Sequence, residues 1–311
     1  MTRRAIRFAL QVNPAASEID TVGPAAEAAG FDVLTVADHI GPDRGSPLIT
    51  LARIAATTTS IRLGTMVLNN DMRNPVQLAW EAATLHRLSS NRFELGLGAG
   101  HTPHEYGETG LALDQPAVRK QRLGEAVEII AALFRGETVD YDGVHYQLSG
   151  ATIGPLDEPL PILVGGNGTT LLTHAAVHAD IIGLQGLGKT LSDGHRHTAK
   201  FEIAHLESQL ATITTATNST AASGNSGPEL NALVQVCDIT DRRDESLQKL
   251  LEDMDEVTLE TARATPYFAV GTVDEIAKQL IRARDDWGIS YFTTRSMDME
   301  PVIARVRQLE A

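Results

Sequence analysis

The chain has 311 residues, 42% of them apolar, and a formal net charge of −14, which is length and apolar content enough for a substantial core. The acidity argues against a nucleic-acid partner or an anionic membrane surface, because both call for a basic face. The single cysteine, Cys237, excludes an intrachain disulfide and fits a reducing cytoplasm, and no stretch approaches the roughly 18 apolar residues that span a bilayer.

Met1-Thr2-Arg3-Arg4 followed by an apolar run has the outline of a signal peptide, but Gln11, Asn13 and Pro14 interrupt it, so residues 6–11 read as a first strand. Further strands are expected at 33–37, 62–68, 92–97, 161–164, 180–184, 230–239 and 289–294. Apolar-periodic segments lie between them at Pro75–Leu88, 118–134, Thr169–His178 and Val273–Trp287, several opening on Pro or Thr and ending near Gly. Eight strands alternating with helices in this length suit a (β/α)8 TIM barrel better than an open sheet. Two insertions break the rhythm. Residues 139–147, alternating around Asp142-Gly143, predict a small hairpin, and residues 212–228, rich in Thr, Ser, Asn and Gly without periodicity, predict a flexible loop. Cys237 falls in the apolar run 233–239 and reads as a buried thiol rather than a nucleophile.

In such a barrel the loops after the strands build the active site. Asp38-His39 then places a carboxylate beside a group that titrates near neutrality, suited to proton transfer; the same pair can instead cap the following loop. Gly98-Ala99-Gly100 permits close approach of a planar ligand. Gly165-Gly166-Asn167-Gly168-Thr169-Thr170 precedes a helix and can cradle a phosphate, or be a plain glycine turn. It lacks the spacing of the Walker and dinucleotide loops. Among ten histidines, His174 and His178 stand one turn apart and His195, His197 and His205 cluster. Without a His-Glu-x-x-His arrangement they read as solvated helix faces, and no metal is expected. Nor is there a Gly-x-Ser-x-Gly elbow. The residues by themselves reach a barrel enzyme with a phosphate-bearing ligand.

Several segments, taken in order, carry a resemblance: Ala37-Asp38-His39, Leu63-Gly64-Thr65-Met66-Val67-Leu68, Arg73-Asn74-Pro75, the stretch from Ser89 through Gly100, Pro161-Ile162-Leu163-Val164-Gly165-Gly166, Ala176-Val177-His178-Ala179-Asp180, and Pro266-Tyr267-Phe268-Ala269-Val270-Gly271-Thr272. Together they resemble the F420-dependent branch of the luciferase-like oxidoreductases, nearly end to end. The resemblance implies one barrel domain over residues 1–311, hydride transfer through the deazaflavin F420, and a tendency to form homodimers. An FMN-dependent monooxygenase and a non-catalytic cofactor-binding protein are the alternatives. It also implies roles for individual residues. Asp38 would contact the deazaflavin ring, and His39, or failing that His101, would exchange the proton. Met66 and Val67 would be joined by a cis peptide behind the ring. Ala99, Gly100 and His104 would line the cofactor, and Gly166, Asn167, Gly168, Thr169 and Thr170 would hold its phosphate. Lys189, Arg196 or Lys200 are offered for its anionic tail. The sugar-phosphate dehydrogenases of that branch have a glutamate where this chain has His101, with Glu105 one turn on, and an aromatic residue where this chain has Ile40-Gly41-Pro42-Asp43. A substrate other than a sugar phosphate is therefore expected, with reduction of a C=C or C=N bond as the reaction, or in the reverse direction oxidation of an alcohol with His39 as base.

Overall fold

A computed structural model describes residues 4–191, 197–220, 227–252, 254 and 257–311. Eight strands form its centre: β1 (Arg7–Val12), β2 (Val33–Val36), β3 (Arg62–Thr65), β4 (Phe93–Gly98), β5 (Ile162–Gly165), β6 (Ile181–Leu184), β7 (Glu229–Leu233) and β8 (Ile289–Thr294). Every neighbouring pair is parallel. β1 lies between β2 and β8, and the pairing of Leu63 with Phe93 joins β3 to β4 and closes the ring. The result is a (β/α)8 barrel, with helices filling the crossovers as parallel strands require.

The helix ends follow local chemistry. Pro75 opens the helix Pro75–Leu88 behind Asn74, whose side chain accepts from the N–H groups of Val76 and Gln77. Thr272 and Glu275 form a reciprocal capping box at the start of Val273–Trp287, and Gly288, left-handed at φ 73°, ends it. The apolar faces of these helices pack on the outside of the strands, where Leu34, Leu51, Ile54, Leu78, Leu95 and Ile130 are all buried. A smaller cluster of Ala9, Val33, Leu163, Ile181 and Tyr291, drawn from five strands, fills the lumen, and Val67 packs against it. At the amino ends of the strands Arg7 pairs with Glu94 and Glu229, each at 2.6 Å, and lies over the Tyr291 ring at 4.0 Å. Arg62 also pairs with Glu94. These ion pairs link β1, β3, β4 and β7 at that end.

Four expectations change. The strand foreseen at 62–68 stops at Thr65, while the Met66–Val67 peptide bond is cis, as the resemblance implied. The one foreseen at 230–239 leaves the barrel after Leu233, because the N–H of Gln235 turns to Tyr267 O; Val236–Ile239 then pairs with Phe268–Gly271 outside the ring. Cys237 is half-buried there, and burial pushes its thiol up to about 11. Residues 212–220, expected as loop, continue the helix Ile203–Thr220, and residues 221–226 lie outside the described part. Thr212, Thr215 and Thr217 each donate their hydroxyl to the carbonyl four residues back, while Ile213 and Ala216 are buried where this helix packs on Thr169–His178. Burial of one face outweighs the poor intrinsic propensity of such a sequence. Last, His197 lies not on a helix but on a strand: Leu187–Thr190 pairs antiparallel with His197–Ala199, and exposed Lys189 is on the same hairpin. His195 and Arg196 fall outside the described residues. The hairpin over 139–147 forms from Val139–Asp142 and Gln147–Ala151. It is held to the helix Pro116–Phe134 by Glu125, which accepts from the N–H groups of Val144 and His145 at 3.1 and 2.8 Å.

Candidate active site at the carboxyl ends of the strands

Asp38 and His39 follow β2 at the barrel mouth and face different partners. The Asp38 carboxylate, 7% exposed, accepts from both Nη atoms of Arg73 at 2.6 and 3.0 Å and from the Asn69 N–H at 2.8 Å. It therefore fastens the loop after β3. His39 Nδ1 lies 2.8 Å from Glu105 Oε1 on the short helix Pro103–Thr109, and the Glu105 side chain is only 4% exposed. An ionised carboxylate can only accept a hydrogen bond, so facing Glu105 the His39 Nδ1–H donates and Nε2 is left for chemistry. The His101 ring stands edge-on to His39 with centroids 6.2 Å apart, and His197 lies 4.9 Å beyond His101. Three imidazoles from three loops thus line one side of the mouth. Among the described residues no group of three or more side chains is arranged to hold a metal ion.

The floor beside them is Val67. A Cβ on Gly98 would meet Val67 Cγ2 at 2.5 Å, so β4 approaches this side chain only because position 98 has none. The Gln11 amide donates to Met66 O at 2.6 Å and fixes the segment from the other side.

The loop after β5 leads into Thr169–His178 through Gly168, whose φ of 97° favours glycine. The first N–H groups of that helix have no intrahelical acceptor. Lys120 Nζ donates to Asn167 O at 2.8 Å, and a Cβ on Gly168 would stand 3.1 Å from it. Its neighbour Arg119 donates to the carbonyls of Asp114, Ala99 and Gly100. Neither cation has a carboxylate partner among the described residues, and burial together with the Arg119 charge lowers the pKa of Lys120. Two unneutralised cations beside open helix N–H groups are a donor set for a phosphate. The residues present fit the phosphate end of a flavin-type cofactor.

Of the residues singled out in sequence, Asp38 and His39 follow β2, Met66 and Val67 follow β3, and Ala99, Gly100 and His101 follow β4, with His101 in ring contact with His39; Gly166, Asn167 and Gly168 follow β5 and lead into Thr169 and Thr170 at the start of the helix. Asn167 acts through its backbone. Its side chain accepts from Gln209 Nε2 at 3.1 Å and donates to Leu187 O, bracing the loop against the hairpin and the helix Ile203–Thr220. His104 is exposed on the helix Pro103–Thr109. Sequence reasoning missed Arg119, Lys120 and Arg73, and it did not join Glu105 to His39. Helical spacing gives a charged residue no mark that distinguishes a solvent face from a site.

A family model described as luciferase-like monooxygenase matches residues 5–291. The chain belongs to that family. Over 185 residues it is 36% identical to an F420-dependent glucose-6-phosphate dehydrogenase of Mycobacterium avium, covering 56% of this chain and 55% of that protein. Over 155 residues it is 33% identical to a 5,10-methylenetetrahydromethanopterin reductase of Archaeoglobus fulgidus, 50% of this chain and 45% of that one. The luciferase-like chain thus spans about half the length of the curated relatives it matches. Its fold is shared with an F420-dependent secondary alcohol dehydrogenase in complex with an F420–acetone adduct (TM-score 0.74, 18% identity, 96% of this chain and 97% of that one). It is also shared with the EDTA monooxygenase of Chelativorans sp. BNC1 (TM-score 0.76, 13% identity, 99% and 95%).

Proposed function

We propose that this chain is an F420-dependent oxidoreductase that exchanges a hydride between the deazaflavin C5 and a small organic substrate, in the direction of reducing a C=C or C=N bond. The observation that carries the reading is the His39–Glu105 pair, an acid–base group backed by a buried carboxylate. F420 is chosen over FMN because the Mycobacterium avium relative named above is an F420-dependent enzyme. When bound, the cofactor supplies the hydride. The protein's part is to hold, orient and protonate. Lys120, Arg119 and the N–H groups opening Thr169–His178 hold the phosphate, Gly98 and Val67 give the ring its floor, and His39 Nε2 delivers the proton. His101 stands behind it as the alternative donor.

His39→Ala tests this. It should keep its affinity for F420 while oxidation of reduced F420 by activated alkenes or imines slows by a factor on the order of 10²–10⁴, as for loss of a general acid. Unchanged turnover removes His39 from the mechanism. The phosphate cradle also suits FMN, and a riboflavin lyase solved with modified FMN shares the barrel; oxygen consumption with supplied reduced FMN would favour that second reading. We further propose a homodimer. Exposed Ile49, Trp80 and Leu88 on two adjacent helices are apolar surface a second copy would cover, and light scattering distinguishes 33 kDa from twice that mass.

A further inference from the structure

Arg295 directly follows β8, and the pairing of Leu10 with Thr294 brings it beside Gln11 at the mouth. Its Nε donates to Gln11 Oε1 at 2.9 Å and its Nη1 to Gln235 Oε1 at 3.3 Å. Both amides are pinned at their other ends, Gln11 Nε2 on Met66 O and Gln235 Nε2 on Gln185 O at 2.9 Å, so their carbonyl oxygens are fixed toward the guanidinium. No carboxylate pairs with Arg295 among the described residues, in contrast to Arg7, Arg62, Arg73, Arg122 and Arg284. Two neutral amides use only part of a five-donor fork. A positive group is therefore aimed and left unneutralised, exposed at the mouth and joined through one side chain to the Met66 carbonyl of the floor. The phosphate loop follows β5, three strands away around the barrel, so the two cationic places are separate.

We propose that Arg295 receives an anionic oxygen group of the substrate, a carboxylate or a phosphate, so that the molecule reduced is a small anion held by this guanidinium while its reacting bond lies over Val67; that the ligand is a substrate rests on the function proposed above. Gln11 and Gln235 are positioning residues that keep the fork turned outward.

The test is calorimetric titration of the full chain carrying Lys120→Gln, which weakens the competing phosphate loop, with succinate and with inorganic phosphate at constant ionic strength. One probe should bind, and adding Arg295→Gln should weaken it by about 10-fold or more, the size of a lost charge-assisted pair. Arg295→Lys, which keeps the charge but not the fork, should fall between the two and covers the case in which the glutamine variant misfolds. Preference for succinate identifies a carboxylate, and preference for phosphate a phosphate ester. Equal affinity with and without Arg295, or no binding of either probe, overturns the proposal. So does loss of F420 affinity in Arg295→Gln alone, which would make Arg295 part of the cofactor site. Failure of the F420 reading appears separately, as wild-type protein that does not bind F420 while the Arg295 effect on the anions persists.

Discussion

Replacing Glu105 with glutamine removes one charge from the buried partner of His39 and little else. The side chain is 4% exposed and its Oε1 is 2.8 Å from His39 Nδ1. The contacts that hold its helix, Glu105 N to Thr102 O and Thr109 Oγ1 to Glu105 O, are made by the backbone of residue 105 and survive. Hydrogen bonds to charged groups contribute about 1.5–3 kcal/mol and neutral ones about 1. The loss of about 0.5–2 kcal/mol falls on the step in which His39 carries an extra proton, so Glu105→Gln should slow turnover about 2- to 30-fold, at about 1.4 kcal/mol per factor of ten. F420 affinity should stay within about two-fold, since Glu105 does not reach the phosphate loop. The assay is oxidation of reduced F420 by activated alkenes and imines, paired with fluorescence titration of the cofactor. Unchanged turnover, or turnover falling only in step with cofactor affinity, would refute the role given to this pair.

Other outcomes follow from the same geometry. Lys120→Gln should weaken F420 binding about 10-fold and flatten its dependence on salt, measured by titration at two ionic strengths. Gly98→Val must collide with Val67 and should abolish binding and destabilise the fold together, by about 1–3 kcal/mol as overpacking does, read as a lower melting temperature. Glu27 is a pH probe of the fold. Burial raises its pKa, but bonds from the Ser60 hydroxyl and the N–H groups of Ile61, Ser60 and Thr59 outweigh that and bring it from 4.5 to about 2. The depressed value means its stabilisation is present above pH 4.5 and is lost as the pH falls toward 2. Glu27→Gln should then be about 1–2 kcal/mol less stable than wild type in urea at pH 7, after discounting for solvent screening, and indistinguishable from it near pH 2.

The barrel was legible because each strand is a short apolar run and each crossover helix carries its own punctuation. Pro75 behind Asn74, and Thr272 with Glu275, mark helix starts that need no tertiary information. Where strands failed, at Thr65 and Leu233, the apolar pattern runs on past the real end. Met66–Val67 continues the alternation that a strand would show, so the apolar pattern hides the break, and only the resemblance marked the cis bond there. The threonine-rich helix reads as loop because its hydroxyls compete with the backbone in isolation, whereas in the fold they bond back to carbonyls of the same helix. The site divides in the same way. Asp38-His39 and the glycine loop are contiguous and therefore visible. Lys120 meets Asn167 across 47 positions, and His39 meets Glu105 across 66. His197 joins His101 through a hairpin that its residues did not announce.

The most direct measurement is equilibrium binding of F420 and FMN to the same protein in parallel, by fluorescence titration at physiological salt. F420 should bind at least about 10-fold more tightly than FMN, a difference of about 1.4 kcal/mol, and the advantage over FMN should persist in Lys120→Gln while both affinities fall. Tighter binding of FMN, or saturable binding of neither, would contradict the assignment of this barrel to deazaflavin chemistry.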